Sequence, residues 1–355
     1  MNVRPLALVF WLWATALSAQ GFAGLGTDAE GFAVPQRGTA LTFPQDHGAH
    51  PDYRIEWWYL TAVLEGDDGK DYGAQWTLFR SALAPGDGSD PDAGWNTAQL
   101  WMGHAGITTP DQHFVAERLA RGGIGQAGVN YDPFEAWIDD WTMTSTAITG
   151  DQLDQLTVSA RGQDAAYTLD LIASGPLVLQ GDRGYSVKSA SGQASYYYSQ
   201  PFYDVVGEIT LPEGPVRVTG KAWLDREWSS QPLEADQSGW DWFSLHFEDN
   251  SKLMGFGLRS NTGVFTSATY IAPDGTPTPY SDGALTLTPL TLTEVAGRQI
   301  PTEWRLELPP QGIDVTTRPT NPQSWMDTLF PYWEGPLRFT GSHEGVGYLE
   351  MTGYE

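Results

Sequence analysis

The chain has 355 residues, a formal net charge of −25 and no cysteine. Its length exceeds what one hydrophobic core usually serves and so predicts two domains. The charge argues against nucleic acid or an anionic membrane surface as a partner, because both require cationic contacts. The lack of cysteine excludes disulfides, a thiol nucleophile and a thiolate metal site. With 40 Gly, 24 Pro and 13% aromatic residues, the composition favours turns and strands over long amphipathic helices.

The first residues have the pattern of a secretory signal peptide. Arg4 supplies a positive charge, residues 6–17 are apolar, and small residues up to Ala19 offer a cleavage site. The apolar stretch is short for a membrane span, although a retained anchor is the alternative. We therefore expect residues 1–19 to be a signal peptide, residues 20–36 to be poorly ordered, and the mature protein to be secreted or periplasmic.

An aromatic strand and the turn that follows it occur twice in the sequence. Residues 56–64 return in looser form as residues 239–247, and each copy continues through an acidic turn into a strand that ends in Arg-Ser. This pattern predicts two β-hairpins. The simplest interpretation is a tandem duplication of one β-domain, in which Trp58 and Trp242 occupy equivalent positions.

A second, weaker repeat links the ends of the two copies. Residues 203–220 resemble residues 332–353, because both stretches begin with tyrosine in an apolar run and end in a Thr-Gly pair. The duplication would then make Gly220 equivalent to Gly353.

The repeats divide the mature chain into two predicted domains, 37–228 and 229–355. Most of both domains alternates apolar and polar residues as strands do. Two stretches, 111–120 and 324–329, favour short helices instead.

Alternation within the second aromatic strand predicts the role of each of its faces. Successive side chains of a strand point to opposite faces, so Phe243, Leu245 and Phe247 form an ordinary core face. The opposite face carries both rings and hydrogen-bonding groups: Trp240, Trp242, Ser244 and His246. Such an amphipathic face suits either a ligand cavity or an interface between the two domains.

Several motifs resemble those of the carotenoid 1,2-hydratase/AttH-type family, a secreted lipocalin-like group often labelled predicted hydrolases. The motifs cover nearly all of the mature chain: DHGAHP at 46–51 with EWWY at 56–59, AWLDREW at 222–228 with GWDWF at 239–243, and the C-terminal stretch 332–354. The resemblance implies an all-β fold of two tandem lipocalin-like (calycin) antiparallel β-barrels. It also implies a hydrophobic small-molecule ligand, an isoprenoid or a lipid, and cofactor-free addition of water to a C=C bond. The chain departs from the family at Ala62, where glycine is usual, and at His246, where an amide is frequent.

Hydration of an isolated alkene needs a proton donor, shelter for a carbocation and a base for the attacking water. Asp225 and Glu227 lie two residues apart on one predicted strand, so they share a face and are the candidate acids. His246 or Asp241 is the candidate base. Aromatic faces stabilise a cation, and five tryptophans are the candidate ligand-binding residues. They are Trp58, Trp223, Trp228, Trp240 and Trp242.

Charged neighbours of these residues allow a structural alternative. In it, residues 225–227 form a salt-bridged hinge between the two domains, and Arg226 neutralises one of the acids. Glu56 and Arg80 are likewise expected to pair across the first hairpin in a structural role.

No metal or cofactor site is predicted. His47 and His50, with Asp46 and Asp52, could coordinate a metal from their loop, but we interpret the histidines as hydrogen-bonded organisers of that loop. The sequence has no His-Glu-x-x-His motif, no Gly-x-Ser-x-Gly elbow before a helix, and no dinucleotide fingerprint in a βαβ setting.

Three classes of function remain open at this point. An enzyme needs a carboxyl group inside an enclosed apolar cavity, and a non-catalytic carrier of lipophiles needs the same cavity without a proton donor. An accessory protein of an envelope transport system needs no cavity and would bind its partner through its outer faces. The position of the carboxyl groups therefore discriminates among the three.

Overall fold

The computed structural model describes residues 29–86, 94–231 and 233–354. The predicted signal peptide, residues 1–19, lies outside them. The described chain is almost entirely β, as predicted, and its three short 3-10 helices are Gln45–His47, Gly94–Asn96 and Pro309–Gln311. Within the described ranges we find no helix with the length and apolar character needed to cross a bilayer.

The first curled antiparallel sheet forms an N-terminal barrel. Its strands are β1 (Ile55–Gly66), β2 (Asp71–Ala82), β3 (Gln99–Thr108), β4 (His113–Arg121), β5 (Ala127–Tyr131), β6 (Phe134–Ile138), β7 (Trp141–Ser145), β8 (Gln155–Arg161), β9 (Ala166–Ala173), β10 (Val178–Leu179), β11 (Tyr185–Val187), β12 (Ala194–Leu211) and β13 (Gly214–Ser229). The order across the sheet is β4-β3-β2-β1-β13-β12-β9-β8-β7-β6-β5, and β10 and β11 also pair with β12. Strands β2, β3 and β4 pack against β6, which brings the two ends of the sheet together.

The second curled sheet forms a C-terminal barrel. Its strands are β14 (Gln237–Phe247), β15 (Lys252–Ser260), β16 (Gly263–Ile271), β17 (Pro277–Tyr280), β18 (Thr286–Val295), β19 (Arg298–Leu308), β20 (Ile313–Pro319), β21 (Trp325–Met326), β22 (Tyr332–Gly341) and β23 (Gly345–Met351). The order is β17-β16-β15-β14-β23-β22-β20-β19-β18, with β21 paired to β22. The two sheets therefore give the tandem barrels that the sequence predicted.

Both sheets have the same arrangement around a central strand. β1 lies between β2 and β13, and β14 lies between β15 and β23. In the first hairpin Glu56 pairs with Arg80, and in the second Gly239 pairs with Arg259. Because both arginines open the Arg-Ser end of a hairpin, this register makes Glu56 and Gly239 equivalent.

The predicted equivalence of Trp58 and Trp242 is wrong by one residue. The register matches Trp242 with Tyr59, and the rings of these two residues meet between the barrels, with centroids 5.3 Å apart. Trp58 points the other way, into the N-terminal barrel, and is fully buried there. Since successive strand residues alternate faces, a slip of one residue exchanges a domain interface for a barrel core.

The predicted equivalence of Gly220 and Gly353 is also wrong. Gly220 pairs with Leu64 near the end of β1, whereas Gly353 lies beside Gly239 at the start of β14. The match for Gly220 is Gly345, which pairs with the last residue of β14. A Cβ atom at Gly220 or Gly345 would lie 2.0 or 2.1 Å from a carbonyl oxygen of the partner strand. Both positions thus need glycine for the same close backbone approach.

Neither predicted helix forms. Residues 111–120 enter strand β4, which pairs along its whole length with β3. Residues 324–329 contain the short strand β21, which pairs with β22. In both stretches, pairing with a neighbouring strand overrides the local helix preference.

Three apolar clusters fill the molecule. One fills the N-terminal barrel, and another fills the C-terminal barrel and includes Phe243 and Leu245, as predicted for that face of the strand. The third lies between the barrels and contains Tyr59, Trp223 and Trp242. The amphipathic face of the second aromatic strand therefore belongs to a buried interface between the two barrels.

Candidate functional site

A cavity of about 150 Å³ lies within this interface. Most of its wall is apolar and aromatic and comes from both barrels: Trp57, Tyr59, Phe79, Trp240, Trp242, Phe256 and Leu258. Three carboxyl groups, one lysine and one histidine reach the same space: Asp225, Glu227, Glu350, Lys188 and His104. Many rings with a few polar groups are typical of a small-molecule site. The amphipathic face was predicted to form either a ligand cavity or an interface between the domains. It does both, because the cavity lies in the interface.

Asp225 is a buried carboxyl in the cavity wall, and no described lysine or arginine pairs with it. It accepts hydrogen bonds from Tyr197 Oη at 2.8 Å, from Trp223 Nε1 at 2.6 Å and from the Ser199 hydroxyl. Burial raises the pKa of Asp225 to about 7, although these three neutral donors oppose the rise. An acid with that pKa is protonated in roughly half of the molecules near pH 7, as a general acid requires.

The C-terminal barrel contributes an equivalent carboxyl, Glu350. It pairs with Trp242 across the sheet as Asp225 pairs with Tyr59, so the duplication relates the two acids. Burial raises the pKa of Glu350 to about 7, against the hydrogen bond from Trp240 Nε1 at 2.7 Å and the nearby phenol of Tyr59. Two carboxyl groups with similar pKa values therefore face one cavity from opposite barrels.

A third carboxyl, Glu334, lies beside Glu350 as its direct partner across β22 and β23. Glu334 is fully buried, and neither of its carboxyl oxygens has a hydrogen-bond partner of good geometry among the described residues. Burial and then the charge of Glu350 raise the pKa of Glu334 well above its usual range, and the phenols of Tyr332 and Tyr59 only partly oppose them. This environment therefore favours the neutral form of Glu334.

Glu227 lies two residues beyond Asp225 on the same face, as predicted, but it has a cation partner. Lys188 Nζ is 2.9 Å from the Glu227 carboxylate. The same ammonium lies over the rings of Tyr197 and Phe256, at 4.3 and 5.0 Å from their centroids. This ion pair adds one anion and one cation to the cavity wall.

The two predicted bases do not reach the cavity wall. Asp241 shares the core face of its strand and pairs with Arg259 inside the C-terminal barrel. His246 is on the interface face, but its ring packs edge-on against Trp223 at 5.8 Å, and its Nδ1 has no hydrogen-bond partner. Burial and then the charge of Lys252 lower the pKa of His246 well below its usual range.

The five predicted ligand-binding tryptophans lie in three different places. Trp240 and Trp242 line the cavity. Trp223 is buried behind the cavity wall and donates a hydrogen bond from its indole N–H to Asp225. Trp58 and Trp228 lie inside the N-terminal barrel, on the opposite face of the sheet.

Arg226 does not neutralise either acid next to it in sequence, so the salt-bridged hinge is wrong. Its guanidinium points into the N-terminal barrel, lies 3.6 Å from the ring centroid of Trp58 and pairs with Glu56 at 2.9 Å. Arg80 binds the other oxygen of the Glu56 carboxylate. The predicted pair of Glu56 and Arg80 is therefore present, and Arg226 extends it to a buried triad.

The loop residues Asp46, His47 and His50 surround this triad with hydrogen bonds. The backbone N–H of His50 donates to Glu56 at 2.8 Å, and Asp46 contacts the His50 ring at 3.2 Å. His47 Nδ1 is 2.7 Å from the phenol of Tyr198. Across the described parts of the chain, no three His, Asp or Glu side chains are grouped so as to hold a metal ion.

Sequence reasoning missed the residues that complete the cavity from distant parts of the chain. They are Tyr59, His104, Lys188, Tyr332 and Glu350, with Glu334 behind Glu350 as its cross-strand partner. The duplication was the available signal, because the correct register carries Asp225 directly onto Glu350.

Three comparisons place the chain among known proteins. A family model described as AttH-like matches residues 34–354. A candidate AttH from Nitrosomonas europaea, whose crystal structure is solved, is 32% identical, with a TM-score of 0.79 and coverage of 91% of this chain and 100% of the other. No curated protein matches.

Two further solved structures share the fold at lower identity. Kievitone hydratase from Nectria haematococca is 15% identical, with a TM-score of 0.63 and coverage of 91% and 98% of the two chains. The protein CghA is 12% identical, with a TM-score of 0.51 and coverage of 92% and 96%.

Proposed function

This chain belongs to the AttH-like family, and we propose that it binds a hydrophobic small molecule between its barrels and adds water to a C=C bond of that molecule without a cofactor. Kievitone hydratase has the same fold, so the fold accommodates a hydratase. Because one fold can host many activities, the site must carry the proposal.

A buried carboxyl that has only neutral hydrogen-bond donors among the described residues, in the wall of an aromatic cavity, is the observation that supports this function. Asp225 meets the need for an acid near neutral pH, because burial rather than an ion pair determines its pKa. A plain carrier of lipophiles has no use for such a group, whose burial costs stability whenever it ionises. An accessory protein without a ligand has no use for the cavity.

In the proposed reaction, neutral Asp225 gives its proton to one alkene carbon, and the π electrons form the new C–H bond. The positive charge on the other carbon lies against the rings of Trp240 and Trp242, each worth about 0.5 to 2 kcal/mol. Water attacks that carbon through an oxygen lone pair and passes one proton to ionised Glu350. One alkene and one water become one alcohol, and both acids then exchange a proton with solvent.

The size of the cavity favours one end of an elongated molecule as its occupant. Its volume of about 150 Å³ is below the range of roughly 300 to 1,000 Å³ that holds a drug-sized ligand. An isoprenoid or lipid with a terminal or branched alkene fits that description. The pattern of residues 1–19 supports action outside the cytoplasm, in the periplasm or after secretion.

The test is product formation from a panel of isoprenoid alkenes, unsaturated fatty acids and kievitone in isotopically labelled water. The expected product gains one water that carries the label. Asp225→Asn and Glu350→Gln keep the side-chain shape and lose the proton, so each should lower kcat by about 100-fold or more. Asp204→Asn, which alters an exposed carboxyl on β12 that pairs with Lys221, is the matched control and should leave kcat unchanged.

The outcomes separate the three classes of function. Labelled product that survives Asp225→Asn would remove the assigned acid. Saturable quenching of tryptophan fluorescence by a ligand that is never converted would identify a carrier. Failure of every lipophile to bind would favour an accessory role in envelope transport.

A further inference from the structure

A line of polar side chains leads from the cavity to the surface of the N-terminal barrel. It begins at Tyr332, which lines the cavity and whose phenol is 3.0 Å from His104 Nδ1. The two rings are stacked, with centroids 5.6 Å apart and planes inclined by 24°. His104 is buried, so this contact holds its imidazole in one orientation.

The other nitrogen of His104 continues the line outward. Its Nε2 is 3.2 Å from a carboxylate oxygen of Glu117 on the neighbouring strand β4. The Glu117 side chain is 26% exposed, and it also accepts a hydrogen bond from the backbone N–H of Leu329 at 3.0 Å. The line therefore ends at a carboxylate that solvent reaches.

The inner end of the line adjoins two buried carboxyls. Tyr332 and Glu334 lie two residues apart on β22, so their side chains share a face, and Tyr332 lines the same cavity as Glu350. Burial and then the charges of Glu334 and Glu350 raise the pKa of the phenol well above its usual range. Glu334 and Glu350 are direct cross-strand partners, and two buried like charges in such positions are strongly disfavoured. The pair therefore keeps at least one proton.

We propose that Tyr332, His104 and Glu117 form a proton path between the Glu334–Glu350 carboxyl pair and solvent. The proposal rests on the proposed function, in which Glu350 takes a proton from water in every turnover. A ligand that fills this mostly apolar cavity would displace the water beside Glu350, so that proton needs a route through the protein.

Each transfer along the path conserves protons. Glu350 or Glu334 passes a proton to the Tyr332 oxygen as the phenol gives its own proton to His104 Nδ1. The imidazole releases its Nε2 proton to Glu117, and Glu117 releases a proton to water. The same steps in reverse carry a proton inward. After an outward transfer the imidazole regains its Nε2 tautomer by proton exchange with water, and no oxidant or reductant takes part.

The surroundings of His104 favour transfer of a proton through its imidazole over retention of a positive charge on the ring. Burial lowers its pKa, and the hydrogen bond and charge of Glu117 partly offset this effect. Tyr332 from β22 and Glu117 from β4 are the titratable groups on the strands packed against it, and β2 contributes the uncharged ring of Phe79, 5.3 Å away between centroids. The imidazolium is thus a transient species with a carboxylate beside it.

A rapid change of pH tests the path without any substrate. Trp240 donates its indole N–H to Glu350, so its fluorescence should report the ionisation of that carboxyl after a stopped-flow jump from about pH 6 to about pH 8. His104→Gln and Glu117→Gln keep hydrogen-bonding groups but cannot relay, and each should slow the signal by about tenfold or more. Trp240→Phe should remove the signal.

The matched control is His113→Gln. His113 is another histidine of the β3–β4 hairpin and is partly buried, but it contacts Thr108 and Met326 rather than the path. The proposal predicts wild-type relaxation for this variant. Equal rates in wild type, His104→Gln and Glu117→Gln would overturn the proton path, whatever the protein does with alkenes.

Single-turnover kinetics give a second readout once a substrate is known. His104→Gln should form the first product at the wild-type rate and then turn over slowly, since only the release of the Glu350 proton is impaired. A merely structural role for His104 would slow both phases together and contradict the path. If wild type converts no alkene, the proposed function fails, and the pH-jump result still decides the path.

Discussion

Glu56 inside the N-terminal barrel and Asp225 between the barrels are equally buried, yet their pKa values move in opposite directions. Burial alone would raise the pKa of Glu56, but the guanidinium groups of Arg80 and then Arg226 outweigh it and hold that pKa far below its usual range. Asp225 has only neutral donors, so burial prevails and raises its pKa. The presence of a cation, not the depth of burial, separates a structural carboxylate from a reactive acid.

Replacement of the two acids by amides should give the largest contrast. Glu56→Gln leaves two arginines buried without their anion and should lower the free energy of unfolding by about 3 to 5 kcal/mol at pH 7. Near pH 5, where Asp225 is mostly protonated, Asp225→Asn keeps an acceptor oxygen for Ser199 and Trp223 and can donate from its NH2 to the Tyr197 hydroxyl, so it should change this free energy by less than about 1 kcal/mol. Urea denaturation measures both. A similar loss in the two variants would end the comparison.

The two regions should also respond oppositely to pH. The folded pKa of Glu56 is depressed, so its stabilisation is present above the unfolded value of 4.5 and is lost as the pH falls below it. The folded pKa of Asp225 is raised from 3.8 to about 7, so the folded state binds more protons and stability falls as the pH rises between these values.

Asp225→Asn should remove the loss of stability with rising pH that Asp225 contributes. Between pH 5 and 7 the wild type should lose about 2 kcal/mol more than this variant. Thermal or urea unfolding at several pH values measures the difference, and Glu350→Gln should behave alike because the pKa of Glu350 is also raised to about 7. Parallel stability curves for wild type and both variants would show that these carboxyls ionise freely in the folded protein.

Lys188→Met sharpens the comparison at an intermediate position. The ion pair with Glu227 is partly exposed, with 17% and 9% of the two side chains accessible, so solvent screens it. We expect a loss of about 1 kcal/mol in unfolding free energy, less than for Glu56→Gln. Lys188→Arg should recover most of it, and a loss as large as that of Glu56→Gln would mean that the pair is desolvated.

The smallest effect on the free energy of unfolding is expected where solvent reaches both the cation and the anion. Arg338 of β22 binds Asp71 of β2 through two hydrogen bonds of 2.6 and 2.7 Å, but 57% of the arginine side chain is exposed. Arg338→Gln should cost less than about 0.5 kcal/mol in unfolding free energy, and high salt should abolish the difference. A larger, salt-insensitive loss would show that this bridge between barrels is a strong contact.

The strands and the duplication could be predicted because their signals are local. Acidic turns, Arg-Ser ends and alternation each lie within one hairpin, so no distant contact is needed to see them. The predicted register between the two copies was wrong because it aligned aromatic residues with aromatic residues and so matched Trp58 with Trp242. Only the pairing of Glu56 with Arg80 and of Gly239 with Arg259 reveals the offset.

The candidate site was predictable to the extent that it is local. Asp225 and Glu227 were found because two acids and several rings share one short strand. Glu350 could not be found in the same way, since it enters the cavity from the last strand of the other barrel. His246 and Asp241 were predicted as bases because they are near Asp225 and Glu227 in sequence. Strand geometry instead directs Asp241 into the C-terminal barrel and His246 against Trp223.

The two related acids differ in one neighbour. Asp225 faces Ser199 across β12, whereas Glu350 faces Glu334 across β22. A symmetric pair of separate barrels would present the same residue twice across its axis, and neither copy could be the donor rather than the acceptor. Fusion into one polypeptide lets each half change alone. The covalent link thus gives the shared cavity a chemical direction that a homodimer of barrels cannot have.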